Sequence, residues 1–273
     1  MVASYNESEI LARTLAAFTK QTFPDFELII ADDGSQQDYR SLLERWAPQF
    51  RYPIQHVRQD DQGFRKTRIL NRAVFVSSSD KFIFVDMDCM PHHDFVRQHL
   101  RYLAPGVVVT GRRVHIEPDQ LPSAETILET GLGFSFGHLL RLRLRGKARL
   151  IEHGVVLPFF YETPGRGILG CNFSICRTDF ENVNGFNSEY MGAGWEDTDI
   201  DFRLQLAGVK IRVLRNKVIE YHAAHPQRAI DDKLNPARLE AVRVNRLMRA
   251  TVGLADVRKG DFEHLQYAPR WRD

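Results

Sequence analysis

Two short apolar runs in this chain each stop abruptly on carboxylates. Phe26-Glu27-Leu28-Ile29-Ile30-Ala31 ends at Asp32-Asp33-Gly34-Ser35, and Lys81-Phe82-Ile83-Phe84-Val85 ends at Asp86-Met87-Asp88. Runs of this length between turn residues read as strands buried on both faces, and both faces are covered only if helices pack on each side. The residues between supply those helices. Leu11, Leu15 and Phe18 fall at helical spacing behind an Asn6 and Glu9 capping box, and Pro24-Asp25 ends that helix. Tyr39 to Trp46 predicts a second helix and Ile69, Leu70, Ala73 and Val74 a third, with a strand around Ile54 and Val57 between them. The alternation predicts an α/β fold with a mostly parallel central sheet flanked by helices. Ligands of such sheets sit beyond the carboxyl ends of the strands, where both acidic clusters lie.

Composition removes several alternatives. The 273 residues are 43% hydrophobic, enough for a large core, which excludes a disordered chain. With 37 basic against 35 acidic side chains the net charge is +2, too weak a field to imply a nucleic-acid partner. Cys89, Cys171 and Cys176 form no CxxC pair, and so sparse and odd a set predicts reduced thiols in a cytoplasmic protein. No apolar run approaches the ~18–20 residues of a membrane span. The first residues are already polar, so no signal peptide is expected.

From Gly111 onward the pattern loosens, with frequent Gly and Pro from Pro118 to Gly170 around a basic segment from His138 to Leu150. Order returns with Gly170-Cys171-Asn172-Phe173, then Gly194-Trp195-Glu196-Asp197-Thr198-Asp199 leading into a helix from Ile200 to Leu206, stopped at Gly208. Strands at Lys210 to Leu214 and Val218 to Tyr221 precede His222 and His225, and Asn235-Pro236 opens a last helix.

Carboxylates two apart at a strand end diverge. One of Asp86 and Asp88 can therefore hold a divalent cation completed by phosphate oxygens, which suits Mg²⁺ or Mn²⁺ with a diphosphate, while the other reaches a ribose or a bound water. A solvated acidic turn is the plainer alternative. Asp32-Asp33-Gly34-Ser35 is either an ordinary turn or a base pocket. In the second case Asp33 accepts the N3–H of uracil, where cytosine offers only an acceptor, and Tyr5 stacks on the ring. His222 and His225, three apart, can turn both rings to one side of a loop. Arg141, Arg143, Arg145, Lys147 and Arg149 alternate with Leu140, Leu142 and Leu144 with no acid near. Period-two alternation spreads charge around a helix, which predicts a solvated basic segment. Contact of residues 138–150 with anionic lipid headgroups or a lipid-diphosphate acceptor is the other reading, peripheral to the inner face of a membrane. No aromatic platform interleaves these charges, which argues against nucleic acid.

Taken in order, Ser4-Tyr5-Asn6, Gln21-Thr22-Phe23-Pro24-Asp25-Phe26-Glu27, Asp32-Asp33-Gly34-Ser35, Lys66-Thr67-Arg68 and Asp86-Met87-Asp88 resemble the family 2 glycosyltransferases, inverting nucleotide-sugar enzymes of GT-A fold. Gly170 to Phe173 and Gly194 to Asp199 resemble the acceptor-side motif of β-1,4-galactosyltransferase-type regions, so the resemblance covers roughly residues 1–225. It implies a nucleotide-sugar-binding half at 1–110, an acceptor-binding, catalytic half at 111–225 and a C-terminal helical tail at 226–273. The implied activity moves a hexose or N-acetylhexosamine from a UDP-sugar to a saccharide or lipid-linked saccharide, as in polysaccharide biosynthesis. By the same resemblance Ser4, Tyr5, Glu7, Asp33, Arg68, Asp86 and Met87 bind the nucleotide, with Arg68 at the diphosphate. Asp88 with His222 or His225 holds Mn²⁺ or Mg²⁺. Asp197 is the general base that takes the acceptor hydroxyl's proton as its oxygen attacks the anomeric carbon, kept ionised by the helix dipole. Trp195, Glu196 and Asn172 meet the acceptor, and Gly192 and Gly194 suit a closing loop.

The chain departs from the pattern at its start. Only Met1-Val2-Ala3 precede Ser4, so either the first strand is short or the sequence begins late, and a version extended upstream would then melt higher. A nucleotidylyltransferase needs a glycine-rich basic loop after the first strand, and a dinucleotide dehydrogenase needs GxGxxG; Ser4-Tyr5-Asn6-Glu7 is neither. The non-enzyme alternative is a catalytically idle nucleotide- or glycan-binding module. Joint retention of Asp33, Asp88 and Asp197 argues against it.

Overall fold

A computed structural model describes residues 1–156, 161–162, 167–226 and 234–268. The first third runs β1 (Val2–Ser4), α1 (Ser8–Thr19), β2 (Leu28–Asp32), α2 (Tyr39–Trp46), β3 (Ile54–Arg58), α3 (Lys66–Val76), β4 (Lys81–Asp86), β5 (Cys89–Pro91) and α4 (Phe95–Tyr102). Then come β6 (Val107–Thr110), β7 (Arg112–Ile116), α5 (Ala124–Thr130), α6 (Phe136–Leu144), β8 (Ala148–Arg149) and β9 (Tyr161–Glu162). The remainder is β10 (Asn172–Cys176), α7 (Arg177–Asn182), α8 (Glu196–Leu206), β11 (Lys210–Arg215), β12 (Ile219–Ala223), α9 (Leu234–Val244) and β13 (Glu263–Tyr267).

The large sheet has the order β13-β3-β2-β1-β4-β10-β6-β11-β9. Its heart, β3-β2-β1-β4, is parallel, and all of β2 is buried. Strand β1 is only three residues long yet bonds on both sides, Val2 facing Ile30 and Val85. Antiparallel β10 sits between β4 and β6, so the sheet is mostly rather than wholly parallel. A smaller sheet, β5-β12-β7-β8, stands beside it.

Three details differ from expectation. The Asn6 and Glu9 capping box does not form. The chain turns sharply through Asn6 and Glu7, with φ of +54° and +52°, and Asn6 Oδ1 instead accepts from the Gln36 N–H, tying α1 to the loop after β2. Strands β10 and β11 come from beyond residue 110 but complete the large sheet, and one hydrophobic cluster joins residues from Val2 to Ala223. The two halves therefore share a core. The segment 226–273 is not purely helical: beyond α9, β13 pairs all five of its residues with β3 and so satisfies the ladder groups of that edge. Among the described residues no helix is long and apolar enough to cross a membrane. The Gly/Pro-rich stretch from Pro118 to Gly170 lies partly outside the described residues, at 157–160 and 163–166.

Candidate active site

A cavity of about 820 Å³ opens at the carboxyl ends of β1, β2 and β4. Ser4 and Tyr5 leave β1 into its wall, Asp33 follows β2, and Asp86, Met87 and Asp88 close β4. This is where parallel strands release their chains, and it brings the two acidic clusters to one space. The small sheet supplies the other wall. Its registers place His222 opposite Cys89 on β5 and opposite His115 on β7, while the Ala223 N–H donates to the Asp88 carbonyl at 2.8 Å. His222 is thereby fixed beside Asp88.

Asp88 Oδ2 lies 3.5 Å from His222 Nε2 and 3.1 Å from His225 Nε2. Burial opposes the charge of Asp88, but the two histidines outweigh it and hold the carboxyl well below the usual range. His225 Nδ1 bonds the Pro226 carbonyl at 2.7 Å, which turns Nε2 toward Asp88. The suitability for a metal shows in one atom: among the described residues, His222 Nε2 is buried with no hydrogen-bond partner. One carboxylate oxygen and two imidazole nitrogens within 4.8 Å of one another form a donor set that fits a divalent cation. His115, whose Nδ1 is 3.1 Å from His222 Nδ1, is pushed down to about 4 by burial and by the charge of His222 and Arg113, so it stays neutral.

Asp33 is 5% exposed and accepts from the Arg65 N–H at 2.6 Å and from Gln59 Nε2. Burial pushes its carboxyl up to about 6, against the pull of those two donors. Gly34 holds the turn behind it. Its φ is +88°, and a Cβ there would lie 2.4 Å from the Asp61 nitrogen. Across the mouth, Tyr5 donates to Asp61 Oδ2 at 3.1 Å.

Lys66, at the first position of α3, pairs with Asp86 Oδ1 at 2.5 Å. Burial works against its charge, yet Asp86 and Glu196 hold the ammonium above the ordinary lysine range. Glu196 lines the cavity from the start of α8, and burial raises its carboxyl with Lys66 opposing. Under Asp88 lies a second layer of Cys89, Cys171 and Glu220, all buried, with Arg113 Nη1 donating to Cys171 Sγ at 3.2 Å. Burial pushes Glu220 and the Cys89 thiol well above their ordinary ranges, so neither adds negative charge beneath Asp88.

Of the residues singled out in the sequence, Ser4, Tyr5, Asp33, Asp86, Met87, Asp88, Glu196, His222 and His225 meet at this cavity. Glu7, Arg68, Asn172, Trp195 and Asp197 are not among its lining residues. Arg68 stands two residues from Lys66, about 200° around α3. Asn172 is fully buried on β10, spent on the Val218 carbonyl at 3.0 Å and His99 Nε2 at 3.2 Å, and cannot reach an acceptor there. Trp195 stands half-exposed at the rim with φ +77°, and Asp197 beside it is half-buried, its Oδ1 accepting from the Thr198 N–H at 2.7 Å. Sequence reasoning missed Lys66, Arg113, His115 and Arg149 as lining residues. Arg113 and His115 had a signal: two apart on one strand, they share a face.

Compared with known proteins, residues 1–161 match glycosyl transferase family 2, and residues 153–226 match the family described as the N-terminal domain of galactosyltransferase. The chain belongs to glycosyl transferase family 2. The chain is 26% identical over 230 residues to validoxylamine A glucosyltransferase of Streptomyces hygroscopicus subsp. jinggangensis (strain 5008), covering 79% of this chain and 53% of the relative. It is 24% identical over 239 residues to chondroitin synthase of Escherichia coli, covering 83% of this chain and 34% of that one. The chain thus spans about half or less of the length of these relatives. Its fold is the GT-A fold of solved glycosyltransferases. GalNAc-T7, solved with UDP, GalNAc and Mn²⁺, superposes with a TM-score of 0.62 at 14% identity, covering 88% of this chain and 47% of that one. The mannosyltransferase PcManGT from Pyrobaculum calidifontis, solved with GDP-Man and Mn²⁺, gives 0.55 at 19% identity over 83% of this chain and 56% of that one.

Proposed function

We propose that this glycosyltransferase moves a sugar from a UDP-sugar to a hydroxyl of a saccharide or lipid-linked saccharide, with inversion and with Mn²⁺ or Mg²⁺. The observation that carries this reading is the meeting of Asp33 and the Asp88, His222 and His225 group in one cavity. Asp33 selects uracil through its N3–H, and Tyr5 packs at the base. Asp88, His222 and His225 hold the metal, which when bound neutralises the diphosphate as it leaves. Lys66, on the same wall, takes the place first given to Arg68 as the cation nearest the phosphates. Two proteins of the same fold, one solved with UDP and one with GDP-Man and both with Mn²⁺, support a site for a nucleotide and a metal. Residues 1–110 supply most of the donor side and 111–225 the acceptor side, though the two share one core.

In the transfer, the acceptor oxygen forms a bond to the anomeric carbon as the bond from that carbon to the UDP oxygen breaks. The acceptor's proton passes to a carboxylate on the face away from UDP, and a single displacement inverts the centre. Glu196 lines the cavity with the charges of Lys66 and Asp86 acting on it, whereas Asp197, half-buried like Glu196, lies beside Trp195 outside the lining residues. We therefore assign the base to Asp197, sugar hydroxyls to Glu196, and the acceptor face to Trp195. UDP release from a panel of UDP-sugars, with and without saccharide acceptors, tests this. Asp197→Asn should lose about 10²-fold or more in turnover while still binding UDP. Full activity in Asp197→Asn with loss in Glu196→Gln would move the base to Glu196. No turnover of any UDP-sugar would overturn the transfer reading.

A further inference from the structure

Helix α6 is built for a second surface. Leu139 and Leu142 are buried and anchor it to the core. Phe136, Leu140 and Leu144 are 56%, 40% and 80% exposed, at positions i, i+4 and i+8. At 3.6 residues per turn these three form one stripe, about 130° around the helix from the anchoring pair. Arg143 flanks the stripe on one side and Arg141 on the other. The period-two alternation that promised only scattered charge therefore separates two apolar stripes, one inward and one outward, with arginines between.

The charge around the stripe has one sign. No acidic residue occurs from Thr130 to Ile151, and Arg141, Arg143, Arg145 and Arg149 are exposed. Among the described residues none of these four forms an ion pair, although Lys147 is held by Asp119 at 3.0 Å. The segment also runs into the active site: Arg149 and Leu150, which follow α6 by a few residues, line the cavity, with Leu150 turned out at φ +55° and 43% exposed.

We propose that α6 docks in the plane of a bilayer bearing anionic phospholipids. Phe136, Leu140 and Leu144 enter the headgroup boundary and Arg141, Arg143 and Arg145 meet the phosphates. The occupant is chosen by this chemistry. An apolar stripe flanked on both sides by unpaired arginines matches a surface that is apolar beneath an anionic layer, whereas a nucleic acid has no use for the leucines. Docked so, the cavity rim at Arg149 and Leu150 lies near the surface. Resting on the transfer reading, this favours an acceptor whose saccharide is carried on a lipid.

Co-flotation of the full chain with vesicles tests the docking without any turnover. The chain should float with phosphatidylcholine vesicles containing phosphatidylglycerol, bind pure phosphatidylcholine at least tenfold more weakly, and be released by 1 M salt. Leu140→Ser with Leu144→Ser should cut binding about tenfold or more. Arg141→Gln with Arg143→Gln should do the same, at roughly fivefold per charge. All four side chains are exposed, so the melting temperature should not move, which separates lost docking from lost folding. Docking is overturned if wild type does not float, if the serine variant floats like wild type, or if labelled duplex DNA binds equally and competes with vesicles. Failure there with UDP and metal binding intact removes the membrane alone. Failure of UDP binding with flotation intact removes the transfer reading alone.

Discussion

Asp33 shows what one residue's surroundings do to its chemistry. Burial raises its carboxyl to about 6, so the folded state holds that proton in a range where the unfolded chain has released it. The resulting stabilisation is fully present below about pH 4 and is lost as the pH rises through about 6, a change on the order of 2–3 kcal/mol. Recognition of uracil N3–H runs the other way, because it needs the ionised carboxylate. Uridine, titrated without metal, should bind about tenfold more weakly at pH 5 than at pH 7, and Asp33→Asn should abolish both the binding and the pH slope. A flat profile in the unsubstituted protein would remove Asp33 from base recognition. At this scale the sequence is a good guide to which residue types gather and a poor one to which way they face. Asp33, Asp88 and His222 sit at strand ends or in a short strand, where position dictates direction. Arg68 and Lys66 differ by two places on a helix, and no motif says which face of α3 meets the cavity. Asn172 looks like an acceptor ligand by neighbourhood, yet it is consumed inside the sheet because β10 is a central strand.

The helix that carries Glu196 and Asp197 is fixed by a buried ion pair. Arg203 and Asp199, one turn apart on α8, are 0% and 1% exposed by side chain, and Arg203 Nη2 meets Asp199 Oδ2 at 2.6 Å. Arg203 also donates to the Val183 carbonyl at 2.7 Å and the Gly185 carbonyl at 2.9 Å, locking α8 to the loop after α7. Removing one partner of such a pair leaves a buried charge and two unpaired carbonyls, which costs about 3–5 kcal/mol. Arg203→Leu should therefore melt roughly 10 °C lower and lose turnover further as the carboxylates at the helix start shift. A melt within 2 °C of wild type, read by calorimetry, would show that the pair does not hold α8. Element types were legible here because their periods are strong: the helix Tyr39–Trp46 and the strand ending at Asp86 are readable from apolar spacing alone. The left-handed corners at Asn6, Glu7 and Trp195 were not, because their φ values are imposed by the packing of whole elements rather than by residue preference.

Across the whole molecule, the parallel heart of the sheet and the place of the site could be read from two runs of apolar residues ending in acids. What could not be read is that β10, β11 and β13 return from later in the chain to the same sheet, since pairing between distant segments leaves no local mark. The smaller sheet makes a similar long-range pairing at the candidate site: β12, aligned between β5 and β7, carries His222 across 134 positions of sequence to Asp88. The claim on which everything else rests is that this meeting point binds a uridine diphosphate through a metal. Thermal melting with UDP, GDP or CMP, with and without Mn²⁺, tests it directly, since a ligand at a hundredfold excess over Kd stabilises the fold by about 2.7 kcal/mol. The expected result is a rise in midpoint that needs UDP and Mn²⁺ together and disappears in Asp88→Ala. An equal rise with CMP, or none with UDP and Mn²⁺, would contradict it.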